Sequence, residues 1–373
     1  MDSPVRQVPL HFSAASRAGA THTNLSAVRT DGEHLWVAGD ETATVERLTA
    51  QRSADGAVTG YADEVSTNLA DLVDLPAGAE EEADLEGIAR NGPWLWAVGS
   101  HSLKRKKIRD HDSDAKARKR LGKVVREENR YVLARLPVDP ATGLPARRVE
   151  VDGEELTAAV LGGRGDSLTD LLDDDDLLEP FLAIPSKDNG VDVEGIAAHQ
   201  RDDGEVRLYV GFRGPVLRGW AVVVEVRPET DPDDPHRLRL ARFGDGPGKG
   251  ERYRLHLLDL GGLGVRDLCP HGEDLLVLAG PSMSLSGPVR VHRWVGACAA
   301  DAAEVVRADE LPLVLELPHG QGEDHAEGIA VLPPGAHGTD HGEQLLVVLD
   351  SPAAARHAGD GAMLADVWDL PPA

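Results

Sequence analysis

Short apolar segments recur along the chain in pairs, each pair joined by a polar turn rich in Gly, Asp or Asn. The pairs lie in "NLSAVRTDGEHLWVAGD" (24–40), "LEGIARNGPWLWAVGS" (85–100), "VEGIAAHQRDDGEVRLYVGFRG" (193–214), "VRDLCPHGEDLLVLAGP" (265–281) and "AEGIAVLPPGAHGTDHGEQLLVVLDSP" (326–352). Each reads as two strands joined by a hairpin. A third apolar segment follows each pair: "ATVERLT", "RYVLARLPV", "GWAVVVEVR", "VRVHRWV" and "MLADVWDL". A fourth often comes next, as in "STNLADLVDLP", "ERYRLHLLDL" and "LPLVLELPHG".

Four antiparallel strands recurring about five times predict an all-β chain folded as a β-propeller. A sandwich also uses many short strands, but it gives no reason for a signature at one place in each unit. That signature is "DLEGIA" (84–89), "DVEGIA" (192–197) and "HAEGIA" (325–330), and the equivalent positions are Ser26, Glu86, Glu194, Arg266 and Glu327. Their separations are 60, 108, 72 and 61 residues. The long one predicts a blade with large insertions after its second strand, so five blades are expected and six is the alternative. The whole chain, 1–373, reads as one propeller domain with a basic insertion at 101–130 and an acidic one at 164–181 on its rim. The N-terminal "VPLHFS" is placed to supply the outer strand of the last blade and close the ring.

In a propeller the loop before a blade's first strand and the loop after its second open on the same face. That brings the unusual stretches of this chain to one rim, where binding and catalysis usually sit. Glu86, Glu194 and Glu327 then stand at the mouth of the central channel, and converging carboxylates raise one another's pKa. A divalent cation (Ca, Mg or Mn) would offset the repulsion, with Asp84, Asp192 and Asp324 as neighbouring oxygen ligands. Arg266, at the equivalent place in the fourth unit, can instead neutralise them without metal. The Gly after each Glu allows a tight backbone. Lys104, Arg105, Lys187, Asp188, Asn189, Arg213, Arg218, Arg266 and Arg356 are the candidate ligand-binding residues. The arginines suit bidentate contact with an anion, or with the neighbouring carboxylates. His101 and His325, titrating near neutrality, and Asp267 are candidates for proton transfer.

Lys+Arg is 39 and Asp+Glu is 64, a formal net charge of −25. Residues 104–126 hold eleven Lys/Arg and three Asp, a net of +8, which leaves −33 on the rest. So acidic a body disfavours nucleic acid as a partner, and aromatics at 4% offer no stacking platform. No apolar run could span a bilayer, the N-terminus carries no secretory pattern, and two cysteines make no disulfide framework. A cytoplasmic protein is expected.

At "DLEGIA…WLWAVGSHS", "SKDNGVDVEGIA", "RGPVLRGWA", "VRDLCPHGEDLLVLAGP" and "GEDHAEGIAVL" the chain resembles a bacterial family known as domain of unknown function 3616. More distantly, its Glu-Gly strand entry resembles the esterase-like phytase and gluconolactonase groups. In the gluconolactonase group such a Glu binds a divalent metal in the channel, so the resemblance implies metal ligation by Glu86, Glu194 and Glu327. This chain departs at Ser26 and Arg266. The expectation is a metal-dependent hydrolase of an anionic ester, a phosphoester or lactone. The rival is a non-catalytic propeller that binds a protein or small anion through the same rim.

Overall fold

Five strands, Leu25–Asp31, Leu85–Asn91, Asp192–Gln200, Gly264–His271 and His325–Leu332, each pack against the next, and the last packs back on the first. In this computed structural model, which describes residues 3–371 except 245–249, 321, 334–335 and 337–341, they line the axis of a β-propeller. Each begins an antiparallel meander outward. Its hairpin partner comes next (His34–Gly39, Trp94–Gly99, Val206–Leu217, Asp274–Gly280 and Gln344–Asp350). The third strands are Thr44–Arg52, Val132–Asp139, Trp220–Val226, Val289–Trp294 and Ala362–Asp369. Among the described residues these blades number five.

Five apolar clusters lie between neighbouring blades. One joins Trp36 and Val45 of the first blade to Ile88 and Leu136 of the second, and the last joins Val37 to Val348 and returns to the first blade. A middle strand therefore buries both faces, one against each neighbour. That is why "AVVVEV" and "LLVVL" are continuous apolar runs and not alternating ones.

The ring closes as the N-terminal pattern predicts. Arg6–His11 pairs along its whole length with Ala362–Asp369, and Leu10 also bridges to Tyr61 on the outer strand of the first blade. The 108-residue separation holds no further four-stranded sheet among the described residues. It contains a flap at 104–126, the hairpin Arg148–Val151/Glu154–Thr157 and the short helix Leu168–Leu171. One expected strand differs. "STNLADLVDLP" ends its strand at Asn68, whose Oδ1 accepts the Ala70 amide at 2.9 Å and caps a 3-10 turn. The turn directs Leu69, Leu72 and Val73 into the core between the first two blades, and the fourth strand lies earlier, at Val58–Asn68.

Below the mouth the axis is plugged. Arg29 makes a bidentate pair with Asp267, 2.8 Å to each oxygen, and donates to the carbonyls of Ile196, Leu268 and Ile329. Asp267 in turn accepts the amides of Leu268 and Ile329 at 2.8 Å. One ion pair thus ties the inner strands of four blades, and further hydrogen bonds to both partners offset the cost of burying it. No helix among the described residues is long and apolar enough to cross a membrane.

Candidate functional site at the channel mouth

Ser26, Glu86, Glu194, Arg266 and Glu327 share one backbone feature. In each inner strand the pairing register skips that residue: Leu25 and Ala27, Leu85 and Gly87, Val193 and Gly195, Val265 and Asp267, Ala326 and Gly328 pair consecutively. Each is a β-bulge, which kinks the strand and re-aims one side chain. The following Gly answers to the neighbouring blade. A Cβ on Gly195 would lie 2.9 Å from Asp267 Cα, and one on Gly328 would lie 2.9 Å from the Val28 nitrogen. The Glu-Gly pair thus aims a carboxylate at the mouth and lets the inner strands close together.

The mouth is a cavity of about 380 Å³. Asp40, Glu86, Glu194, Glu327, Asp350 and His325 line it, with Lys107, Lys187 and Arg213. Arg266 divides the acidic set. Its Nη1 hydrogen-bonds Glu327 Oε1 and lies 3.3 Å from Glu194 Oε2, while Arg213 Nη1 donates to Glu194 Oε1 at 2.6 Å. Burial would raise the Glu194 carboxyl, but Arg213, Arg266 and Lys187 outweigh it and hold it below the usual range. Burial pushes Glu327 up to about 7 in spite of Arg266, with Glu194 adding to the rise. Burial, then Asp84 and Asp350, push Asp40 up to about 7. Burial, Asp84 and Glu194 raise Glu86 well above its ordinary value, and no hydrogen bond or ion pair reaches it among the described residues.

Among the described residues His325, Glu327 and Asp350 form a group whose potential ligand atoms all lie within 4.8 Å of one another. His325 and Asp350 are opposite each other across the fifth blade's hairpin, and the bulged Glu327 lies between. His325 Nε2 is buried without a hydrogen-bond partner among the described residues. Burial lowers the His325 pKa, which favours the neutral imidazole that binds metals. The group fits a hard or borderline divalent ion.

This set differs from the expected one. Glu86 and Glu194 fall outside it. Asp84, Asp192 and Asp324 are each held by a cation instead: Asp84 by Arg130, Asp192 by Lys187 at 3.5 Å, and Asp324 by Arg356 at 3.0 Å. Asp84 and Asp324 have left-handed backbone, φ 51° and 56°, so simple strand alternation does not extend to them.

Several other candidates also find partners. His101 is buried, with Nδ1 2.9 Å from the Gly99 carbonyl and its ring edge-on to Tyr131. Burial drops its pKa to about 4, so it is a core histidine. Asp267 is the fully buried partner of Arg29 and not a rim group. Arg213 also donates to the Pro281 and Met283 carbonyls, so all three of its nitrogens have partners and it positions Glu194. Arg356 is taken by Asp324 and Asp366, Lys104 by Glu127, and Arg105 by Asp188. Asn189 Oδ1 accepts the Val216 amide at 3.1 Å. Arg218 is exposed at a turn with φ 52°. Lys187 reaches the cavity.

Sequence reasoning missed Asp40, Asp350 and Lys107. Asp350 ends the second strand of its blade and Asp40 directly follows that of the adjacent blade, at the position that Ser100 and Gly280 fill in others. Aligning the exits of the second strands, as well as the entries of the first, would have found both.

The chain belongs to the family described as protein of unknown function (DUF3616), which it matches over residues 24–366. Among curated proteins, none matches it. Solved structures similar to it include two propeller-type proteins. Glutaminyl cyclase of Myxococcus xanthus is 11% identical over 99% of this chain and 97% of its own, with a TM-score of 0.40. The periplasmic gluconolactonase PpgL of Pseudomonas aeruginosa is 13% identical over 94% of this chain and 68% of its own, with a TM-score of 0.24.

Proposed function

We propose that the mouth cavity holds a divalent cation on His325, Glu327 and Asp350, and that the protein is a metal-assisted hydrolase of an anionic ester. The observation that carries this reading is the partnerless His325 Nε2 beside two carboxylates. Glu327 keeps one oxygen on Arg266 and has the other to offer. A cation there would supply Lewis-acid polarisation of a carbonyl or phosphoryl oxygen. Lys107 and Lys187, entering from the second and third blades, are suited to hold the anionic group of the substrate. Asp40, pushed up to about 7 inside the same cavity, is suited to take up and return a proton near neutral pH, and Glu86, also raised, lies beside it.

Titration calorimetry with MnCl₂ tests the reading. Wild type should bind Mn²⁺, and His325→Ala and Asp350→Asn should each abolish the binding. Hydrolysis of p-nitrophenyl phosphate or of an aldonolactone should depend on the metal, and Asp40→Asn should lower kcat by about 10²-fold or more. A wild-type protein that binds none of Mn²⁺, Mg²⁺ or Ca²⁺ rules the reading out. Arg266, bridging Glu194 and Glu327, favours a second reading in which the mouth binds an anion without metal or catalysis. That reading predicts no Mn²⁺ heat and binding of a small carboxylate or phosphate that Lys187→Gln weakens.

A further inference from the structure

The flap at 104–126 leaves the second strand of the second blade at the mouth. Lys104–Arg105 pairs with Val124–Val125, and between them the chain makes the helix Asp114–Leu121. No residue of that helix is buried. It is held within the flap by Asp112, which accepts Lys116 at 2.9 Å, Arg120 at 3.2 Å and the Arg109 amide at 2.9 Å. The base is tied to the body through Lys104 to Glu127 and Arg105 to Asp188. An eight-residue helix with no packed face gains little from the fold, so its place in the structure calls for another account.

The charges supply one. Of the eleven cations at 104–126, Lys104, Arg105, Lys116, Arg120 and Arg126 have carboxylate partners. The other six, Lys106, Lys107, Arg109, Arg118, Lys119 and Lys123, have no side-chain partner among the described residues. Six such cations stand out on a protein whose remaining residues carry −33. Together they make a local positive field that attracts multiply charged anions and weakens with salt. Lys107 joins this surface to the cavity, because it is the flap residue that lines it. Lys187 continues the cationic side inward, towards His325, Glu327 and Asp350 on the fifth blade. Among the described residues no Phe, Tyr or Trp lines the cavity, so none there would stack on a nucleobase.

We propose that the flap and the cavity form one site for a linear oligoanion, a chain of phosphate groups whose terminal group enters the cavity while the rest lies along the flap. The proposal rests on the reading of the cavity as a metal and anion site, and it names the class of ligand. It accounts for a basic segment on an acidic protein and for a helix with no buried residue.

The probes are sodium tripolyphosphate and sodium orthophosphate, titrated into the metal-free protein. Wild type should bind tripolyphosphate about tenfold or more tightly than orthophosphate, with an affinity that falls as salt rises from about 50 to about 300 mM. The combined variant Lys106→Gln, Arg109→Gln, Arg118→Gln, Lys119→Gln, Lys123→Gln should lose that margin and most of the salt dependence. Lys106→Arg, Lys119→Arg, Lys123→Arg should keep both, which separates loss of charge from loss of the flap's shape. Unchanged tripolyphosphate affinity in the Gln variant overturns the proposal. So does binding of phosphatidylserine vesicles by a wild type that ignores tripolyphosphate, because Ile108, Leu121 and Val124 of the flap are exposed and would suit a lipid surface. The Gln variant should still take up Mn²⁺. If wild type itself binds no Mn²⁺, the metal reading alone falls, and flap-dependent tripolyphosphate binding still stands.

Discussion

Two kinds of carboxylate coexist in this protein, and their partners distinguish them. Asp84, Asp192, Asp324 and Asp267 each have an ion-pair partner, whereas Glu86 and Asp40 are half-buried and have none among the described residues. The sequence singled out Glu86, Glu194 and Glu327 because they repeat. It could not show which of them a cation would claim, since Arg130, Arg213 and Arg266 come from distant positions. His101 shows the same limit, because a residue at φ 50° turns inward where its position near a rim loop suggested access. Glu46, away from the mouth, gives a clean test of burial. Its Oε1 accepts Thr44 and Ser66, its Oε2 has no partner among the described residues, and burial raises it from 4.5 to about 7. Between those values the folded chain keeps a proton that the unfolded chain has released. The stability it contributes is therefore full below pH 4.5 and is lost as pH rises through about 7. Glu46→Gln should remove that loss. By thermal melts the variant should gain on wild type between acid and mildly alkaline pH, by on the order of 3 kcal/mol. A difference that stays constant with pH would show that Glu46 does not titrate in this window.

At the level of the strand, the bulge is where sequence pattern and structure part. Alternation places residues two apart on one face, and it predicted Asp84 beside Glu86 and Asp192 beside Glu194 as joint ligands. An extra residue in each inner strand resets the face, and the aspartates meet cations instead. The entry of each inner strand was legible, because the Glu-Gly signature marks the bulge. The reason for the Gly was not, because it lies in the adjoining blade. Gly195 tests that reason. Its missing Cβ would meet the Asp267 and Leu268 backbone at 2.9 to 3.0 Å, and backbone there is held by the Arg29 ion pair and cannot give way cheaply. Gly195→Ala should destabilise by about 1–3 kcal/mol in urea unfolding. Gly359→Ala, where a Cβ meets nothing within 4 Å, should stay within about 0.5 kcal/mol of wild type. Equal effects at the two sites would remove crowding between inner strands as the explanation.

For the whole molecule, the architecture was legible because it is said five times, whereas the site is said once. Each blade repeats the same strand order, so errors in one unit are corrected by the others. The triad of His325, Glu327 and Asp350 occurs in a single blade and has no such redundancy. Closure of the ring depends on one local element. Arg6–His11 is the outer strand of the last blade, and Gln7 Nε2 donates to Asp366 Oδ1 at 2.9 Å across nearly the whole length of the chain. Val8, Leu10 and Phe12 are buried in the cluster shared by the last and first blades. Removing residues 1–12 would expose the edge of Ala362–Asp369 and forfeit three buried side chains, a cost on the order of 5 kcal/mol. The truncated protein should melt well below wild type and tend to aggregate through the open edge. A synthetic peptide of residues 3–13 should restore much of the loss, because the gap accepts a strand with a defined register and apolar pockets. Such rescue requires that the remaining blades hold their arrangement without the clasp. A truncated protein that melts like wild type would mean that packing between blades closes the ring without it.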